Sequence, residues 1–100
     1  MSLFELGDVL MTSGVAGIVE SHEDGFGAVM DCILRHSNGD WGSLCEDDRE
    51  LNDEALEAER RGGDTDRIFS AYDTPFGKLY VITECDRSAT TVLLPEEYRV

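Results

Sequence analysis

The chain has 100 residues, with 22 Asp and Glu against 8 Lys and Arg, and a formal net charge of −14 at pH 7. A surface this negative repels nucleic acid and anionic membranes, so it excludes both as direct partners and favours proteins whose working surface is basic. The largest class of such proteins binds DNA or RNA. The length and the 41% hydrophobic content predict a single domain over residues 1–100 with a packed core.

The cysteines and the N-terminus indicate the compartment. Cys32, Cys45 and Cys85 are odd in number and lack Cys-x-x-Cys spacing, which is typical of free thiols in a reducing environment. The N-terminus has neither basic residues nor a continuous apolar run, so we expect no signal peptide. The longest apolar stretches are far shorter than a membrane span. These features predict a cytoplasmic protein.

The first part of the chain, over about residues 12–61, is predicted to be helical. Residues 8–11 precede it and suit either an extended strand or the lead-in to a helix. Thr12 or Ser13 can cap a first helix that continues to about Ser21.

A second helix follows the turn at residues 22–25. Its apolar residues recur at the spacing of one helix face, which predicts that they pack against the core: Phe26, Val29, Met30, Ile33 and Leu34. Asn38-Gly39 supplies the helix stop.

A third helix is predicted from a capping-box pattern formed by Ser43 and Glu46, and it ends near residue 60 or 61. One face of this helix is apolar: Leu44, Leu51, Ala55 and Ala58. The opposite face is acidic: Glu46, Glu50, Asp53 and Glu57. The helix is therefore amphipathic with an acidic exterior.

The last part of the chain, over about residues 67–98, is rich in strand formers. Residues 67–72, 77–84 and 90–94 are predicted as strands, and the Pro and Gly of residues 74–77 predict a turn between the first two. The expected fold class is α+β, with about three helices in the N-terminal part packed on one face of a three-stranded antiparallel β-meander.

The acidic face of the third helix is the main candidate site. Carboxylates one helical turn apart are about 5–6 Å from one another, a spacing similar to that of successive phosphates. The candidate partner-binding residues on this helix are Glu46, Glu50, Asp53, Glu54 and Glu57. A second acidic cluster comes earlier in the chain: Glu20, Glu23 and Asp24. The alternative interpretation is a solvated face that is kept charged for solubility.

Trp41 lies in the Gly-Asp-Trp-Gly sequence of residues 39–42, between the second and third helices. A Trp flanked by glycines suits an exposed recognition anchor, because binding hot spots favour Trp. It also suits a plug between helices, with the glycines allowing tight turns. The structural interpretation is favoured.

No catalytic residue is predicted, and the chain is not expected to be an enzyme. Cys85 and Ser88 are the candidate nucleophiles, but a nucleophile needs a base. His22 and His36 have no recognisable relation to either residue. A loop in which Arg87 pairs with nearby acids is the favoured interpretation.

No metal or cofactor is predicted. Cys32, His36 and Cys45 can be drawn as three metal ligands, but their spacing is unspecific and no fourth thiolate or imidazole is well placed. No EF-hand loop, phosphate-binding loop or dinucleotide fingerprint is present.

A set of motifs is distributed between residues 35 and 98. It consists of His36, the Gly39-Asp40-Trp41-Gly42 turn, Asp48, Asn52, Ala55-Leu56, Ser70-Ala71-Tyr72, Ile82-Thr83-Glu84, Asp86-Arg87-Ser88, Thr90-Thr91 and Leu93-Leu94-Pro95-Glu96-Glu97-Tyr98. These motifs resemble a family of small proteins from bacterial plasmids, prophages and other mobile elements. The pattern covers roughly two thirds of the chain. It differs at Cys85, where the family usually has Ala, and in the acidic helix, which is shorter in the family.

The resemblance implies a mobile-element setting in a bacterial host, and it brings no catalytic residues. Small acidic phage and plasmid proteins often block host defence complexes. Several anti-CRISPR proteins are similar to this chain in size and charge balance. The resulting hypothesis is a DNA-mimicking inhibitor that binds the basic surface of a type I crRNA-guided surveillance complex and excludes target DNA. The alternative hypothesis is an antirestriction or plasmid accessory protein that binds another DNA-binding host protein.

Overall fold

The computed structural model describes residues 2–98. Its three α-helices are α1 (Ser13–Ser21), α2 (Gly25–Ser37) and α3 (Glu46–Arg60). Its four strands are β1 (Asp8–Met11), β2 (Ile68–Thr74), β3 (Gly77–Thr83) and β4 (Ala89–Leu93), and a short 3₁₀ turn follows at Pro95–Glu97. The predicted α+β class with three helices is confirmed, but one strand, β1, precedes the helices. None of the helices in residues 2–98 is long and apolar enough to cross a membrane.

The sheet has four strands in the order β1-β4-β3-β2, so the predicted three-stranded meander is incomplete. β2, β3 and β4 do form an antiparallel meander, but β1 adds to its edge and runs parallel to β4. The sheet is therefore mixed. All four residues of β1 are exposed, so the strand has no alternation of apolar and polar residues from which its pairing could be predicted.

Helices α1 and α2 pack on one face of the sheet. The cluster between them and the sheet consists of Val15, Val29, Cys32, Ile33, Tyr72, Leu79, Val81 and Val92. The predicted cap of α1 is confirmed, since the Thr12 hydroxyl accepts a hydrogen bond from the Val15 amide.

The predicted buried face of α2 is only partly right. Val29 and Ile33 are buried, but Phe26 and Leu34 are each 57% exposed, and Met30 is 38% exposed. The buried face is rotated towards Cys32 and His36. The rotation occurs because the His36 ring nitrogens find hydroxyl partners on the sheet, so a polar side chain occupies a position that periodicity assigns to the exposed side.

Helix α3 packs at the outer edge of β2. Its buried residues are Asn52 and Ala55, and Ala55 joins a second cluster with Phe4, Trp41 and Ile68. The predicted apolar face was wrong at Leu51, which is 62% exposed. It is replaced on the buried side by Asn52.

The Asn52 side chain holds α3 on the sheet. Its Nδ2 donates to the Phe69 carbonyl at 2.6 Å, and its Oδ1 accepts from the Phe69 amide at 3.1 Å. The amide thus pairs with the strand edge as a neighbouring strand would, which satisfies two buried backbone groups.

Asn52→Ala is expected to lower the free energy of unfolding by about 2 kcal/mol, because it leaves both Phe69 backbone groups without partners. Urea denaturation measures the loss. The matched control is Asn38→Ala, which removes an exposed amide that donates to the Leu34 carbonyl. Equal losses for the two variants would contradict this role of Asn52.

The predicted cap of α3 is corrected. Cys45, not Ser43, occupies the N-cap position, and it makes no side-chain capping bond. Ser43 is instead held on β2, where its amide donates to the Ala71 carbonyl at 2.8 Å. Gly42 and Ala71 form a parallel bridge there, and this pairing fixes the approach of the chain to α3.

Candidate functional site

The acidic residues at the start of α3 are favoured by the electrostatics of the helix itself. Glu46, Asp47 and Asp48 occupy the first turn, where negative charge is stabilised by the positive end of the helix dipole. Arg49 is the one basic residue in residues 46–59. Its guanidinium donates to the carbonyls of Leu44 and Gly42 at 3.0 and 2.8 Å. It is therefore directed to the preceding loop, away from the carboxylates.

The structure places the five predicted α3 acids on the side of the helix away from the buried Asn52 and Ala55. Four of them are exposed and Glu57 is half-buried. Asp47 is exposed as well and was missed. Within residues 2–98, no Lys, Arg or His forms an ion pair with Glu46, Asp47, Glu50 or Glu54. We call these four residues the acidic face.

Two predicted members of the site have other partners. Asp53 accepts a hydrogen bond from the Trp41 indole at 3.0 Å. Glu57 forms ion pairs with Arg60 and Arg61, each at 3.0 Å. Asp53 therefore anchors the loop before α3, and the charge of Glu57 is neutralised locally.

Geometry makes the acidic face regular. Glu46, Glu50 and Glu54 follow one another at intervals of four residues, so they rise along the helix by about 6 Å per step. Because the helix is fixed to β2 through Asn52, these charges need little ordering before they bind a partner. The arrangement can complement a row of Lys and Arg side chains.

The second predicted cluster lies elsewhere on the molecule. Glu20 lies in the last turn of α1, and Glu23 and Asp24 lie in the connection to α2; all three are exposed. His22, in the same connection, stacks on Phe76 in the β2–β3 turn with ring centroids 4.7 Å apart. The cluster is therefore placed beside that turn, on helices that pack on a different core cluster from α3.

Trp41 is buried, as the structural interpretation predicted. It is 5% exposed, and its ring lies 6.0 Å from the His36 ring and 6.3 Å from the Phe4 ring, centroid to centroid. Its contacts fill the gap between α3 and the N-terminal segment. The exposed-anchor interpretation of Trp41 was wrong.

Four polar residues, His36, Ser70, Thr83 and Thr90, form a buried hydrogen-bond chain. The His36 ring bonds the hydroxyl of Ser70 at 2.5 Å and that of Thr83 at 2.8 Å. Thr83 bonds Thr90 at 2.7 Å, and Thr90 donates to the Leu6 carbonyl at 2.7 Å. Burial, with a smaller effect of Arg87, lowers the pKa of His36 to about 3. The ring is thus neutral, and this hydrogen-bond chain is part of the scaffold.

Arg87 is also structural. Its side chain is 7% exposed and its Nη2 lies 3.1 Å from Glu59 on α3, while its Nη1 donates to the carbonyls of Asp66 and Glu84. The predicted pairing with acids of its own loop was therefore wrong: the partner carboxylate is on a distant helix.

The candidate nucleophiles and metal ligands are not brought together. Cys85 and Ser88 are exposed, whereas His36 is engaged by Ser70 and Thr83. Ser70 lies at bonding distance from a histidine, but both are fully buried and a substrate cannot reach them. No group of three His, Cys, Asp or Glu in residues 2–98 is placed to hold a metal ion.

A groove of about 500 Å³, which was not predicted, lies between α3 and the sheet. Three aromatic residues line it: Phe69, Tyr80 and Tyr98. Phe69 and Tyr80 alternate with the residues that contact α1 and α2, so they lie on the opposite face of the sheet. We call this the aromatic groove. The alternation of residues in β2 and β3 could have indicated this groove. If α1 and α2 cover one face of the sheet, Phe69 and Tyr80 lie on the other face, where aromatic side chains need a further contact.

The chain matches no family model, no curated protein and no solved structure.

Proposed function

We propose that the protein is an inhibitor that imitates a polyanion and occupies the basic nucleic-acid-binding surface of a host protein. The observation that supports this most is the acidic face: four exposed carboxylates on one fixed helix, without an ion-pair partner in residues 2–98. Charges kept only for solubility need neither a common direction nor regular spacing. The net charge of −14 adds a long-range attraction to any cationic groove.

The mechanism is competition. The carboxylates of Glu46, Glu50 and Glu54 meet the Lys and Arg side chains that otherwise contact phosphates. Complementary potentials accelerate the encounter and disfavour partners that are not basic. Both effects weaken as salt increases, because charges are screened beyond about 10 Å at 0.1 M ionic strength.

The first target to test is a type I crRNA-guided surveillance complex, with loss of target DNA binding as the inhibited step. This choice rests on the resemblance to mobile-element proteins and on the size and charge shared with anti-CRISPR proteins. A restriction enzyme or another DNA-binding host protein is the alternative target. The same inhibition assay distinguishes the two targets, because it can be carried out with either purified protein and only the true target should lose DNA binding.

Glu50→Lys combined with Glu54→Lys is expected to raise the inhibitor concentration for half-maximal loss of DNA binding at least tenfold, which corresponds to about 1.4 kcal/mol. These two positions avoid the first turn of α3, the Trp41 contact and the paired Glu57. The measurement is a gel-shift titration of surveillance complex and target DNA.

The matched control is Glu5→Lys combined with Asp31→Lys, which changes the net charge equally at exposed residues outside α3. It should inhibit almost as well as the wild type. A third double variant, Glu20→Lys with Glu23→Lys, tests the second cluster. If the α3 variant keeps its thermal unfolding midpoint and inhibits fully, the acidic face is not the binding surface.

A further inference from the structure

The aromatic groove has an ordered wall. The Phe69 and Tyr80 rings meet edge to face with centroids 4.9 Å apart, and the Tyr80 and Tyr98 rings do so at 5.9 Å and an angle of 87°. Phe69 and Tyr98 are 5.8 Å apart. All three side chains are half-buried, so each keeps part of its surface open to the groove.

The rim of the groove is acidic. Four carboxylates line it: Asp48, Glu54, Asp64 and Asp66, all of them exposed. Arg67 is the one cationic residue among its described lining residues. Aromatic faces surrounded by carboxylates suit a cation, because the ring quadrupole and the carboxylates attract positive charge together.

Arg67 shows that one of these rings accepts a guanidinium. Its Cζ lies 5.6 Å from the centroid of Tyr98, and its Nη2 donates to the Tyr98 hydroxyl. Arg67 forms no ion pair with a carboxylate within residues 2–98. An exposed arginine therefore lies on the tyrosine ring in preference to a carboxylate of the rim.

We propose that the aromatic groove binds an arginine side chain of a basic protein partner. The inference rests on the proposed function and deepens it, because it names one contact of that partner. A guanidinium suits the groove better than an ammonium ion does, since it is planar, stacks on aromatic rings and bonds carboxylates with two parallel N–H groups. Glu54 belongs both to this rim and to the acidic face, so one basic segment can contact both.

The two surfaces have different roles in this arrangement. The acidic face attracts any cationic partner, and the attraction falls as salt increases. The aromatic groove selects arginine and buries it, as interface hot spots do. Arg67 occupies the Tyr98 ring when no partner is bound, and it leaves the ring when a partner's guanidinium takes its place.

The test compares two capped peptides of equal charge, hexa-arginine and hexa-lysine, in titrations of the ¹⁵N-labelled protein followed by amide chemical shifts. We expect hexa-arginine to bind about three- to tenfold more tightly and to shift the amides of Phe69, Tyr80 and Tyr98. Tyr98→Leu should reduce hexa-arginine affinity to that of hexa-lysine and leave hexa-lysine binding unchanged. Arg67→Ala should increase hexa-arginine affinity more than hexa-lysine affinity, because the lost positive charge strengthens both but the vacated ring favours arginine alone.

Equal affinities of the wild type for the two peptides would overturn the proposal. So would an arginine preference that survives Tyr98→Leu, or an arginine preference that does not increase after Arg67→Ala. The wild-type and Arg67→Ala results decide the matter if Tyr98→Leu fails to fold. A Tyr98→Leu protein that still inhibits the surveillance complex fully would refute the groove alone. An arginine preference in a protein that inhibits no nucleic-acid-binding target would refute the proposed function alone.

Discussion

Between pH 6 and pH 4 the protein is expected to lose about 1.4 kcal/mol of unfolding free energy per pH unit through His36. The folded ring has a pKa of about 3, chiefly because it is buried, and Arg87 lowers it further. An unfolded histidine has a pKa of about 6.5. As the pH falls, His36 is therefore protonated in the unfolded chain but not in the folded chain, so acid favours unfolding.

The sign and the pH range follow from these two pKa values. The stabilisation by neutral His36 is complete above about pH 6.5, decreases as the pH falls below that value, and is exhausted near the folded pKa of about 3. Protonation of the acidic side chains also changes the stability: it relieves the repulsion of a chain with net charge −14. In contrast, Asp40, Asp86 and Glu97, whose pKa values are lowered by hydrogen bonds in the folded state, add to the loss in acid. The wild-type curve alone therefore mixes two effects.

His36→Gln separates these effects, because it removes the titrating ring and keeps the acidic side chains. Urea denaturation of both proteins at intervals between pH 7 and pH 4 gives the difference in unfolding free energy. That difference should change by about 1.4 kcal/mol per unit below pH 6. A constant difference would contradict a neutral buried ring. If the variant does not fold, the wild type can be tested alone by following the carbon chemical shifts of the His36 imidazole by NMR. These shifts should stay constant as the pH is lowered to 4, because the folded ring remains neutral.

Sequence patterns predicted most of the features that depend on residues close together in the chain, although the N-cap of α3 is Cys45 and not Ser43. The cap of α1 at Thr12, the end of α3 at Arg60 and the turn at residues 74–77 are all as expected. Each depends on residues a few positions apart, whose side chains and backbone interact before any tertiary contact forms. The α+β class followed from the same local signals.

The remaining features depend on contacts between distant residues. β1 pairs with β4 in a register that places Asp8 opposite Ala89. The four residues of β1 are all exposed, and their sequence does not indicate which strand they pair with. The buried position of His36 depends on hydroxyls at Ser70 and Thr83. For the same reason the buried face of α2 was misplaced.

The acidic face was predictable in composition and not in detail. The exposure of Glu46, Glu50 and Asp53 followed from helical periodicity, whereas Glu57, assigned to the same face, is half-buried. The hydrogen bond from Trp41 to Asp53 could not be predicted in this way, because Trp41 lies in a loop and the periodicity of α3 says nothing about the path of that loop. Reversing the charge of Asp53 would therefore disturb folding together with binding, whereas Glu50→Lys combined with Glu54→Lys leaves the Trp41 contact intact.

Gly42→Ala is expected to lower the free energy of unfolding by about 3–5 kcal/mol, the combined cost of a left-handed backbone conformation and of two lost hydrogen bonds. Gly42 has φ +74°, and a Cβ there would lie 1.8 Å from the Ala71 carbonyl oxygen and 2.7 Å from Tyr72 Cδ1. The chain must then move away from β2. This breaks the bonds from the Ser43 amide to the Ala71 carbonyl and from the Ala71 amide to the Trp41 carbonyl.

Gly62→Ala is the matched control, because Gly62 shares the left-handed backbone conformation of Gly42 but has no neighbouring atom that a Cβ would contact. Gly62 has φ +78°, and a Cβ there meets no atom within 4 Å, so the substitution should cost only about 1–2 kcal/mol. Thermal and urea denaturation measure both variants, and similar losses would mean that Gly42 matters only for its φ. A larger loss at Gly42, with weaker inhibition at a temperature where the variant stays folded, would instead show that the pairing beside Ala71 orients α3. The acidic face depends on that orientation, because a helix free to turn presents its carboxylates in no fixed direction.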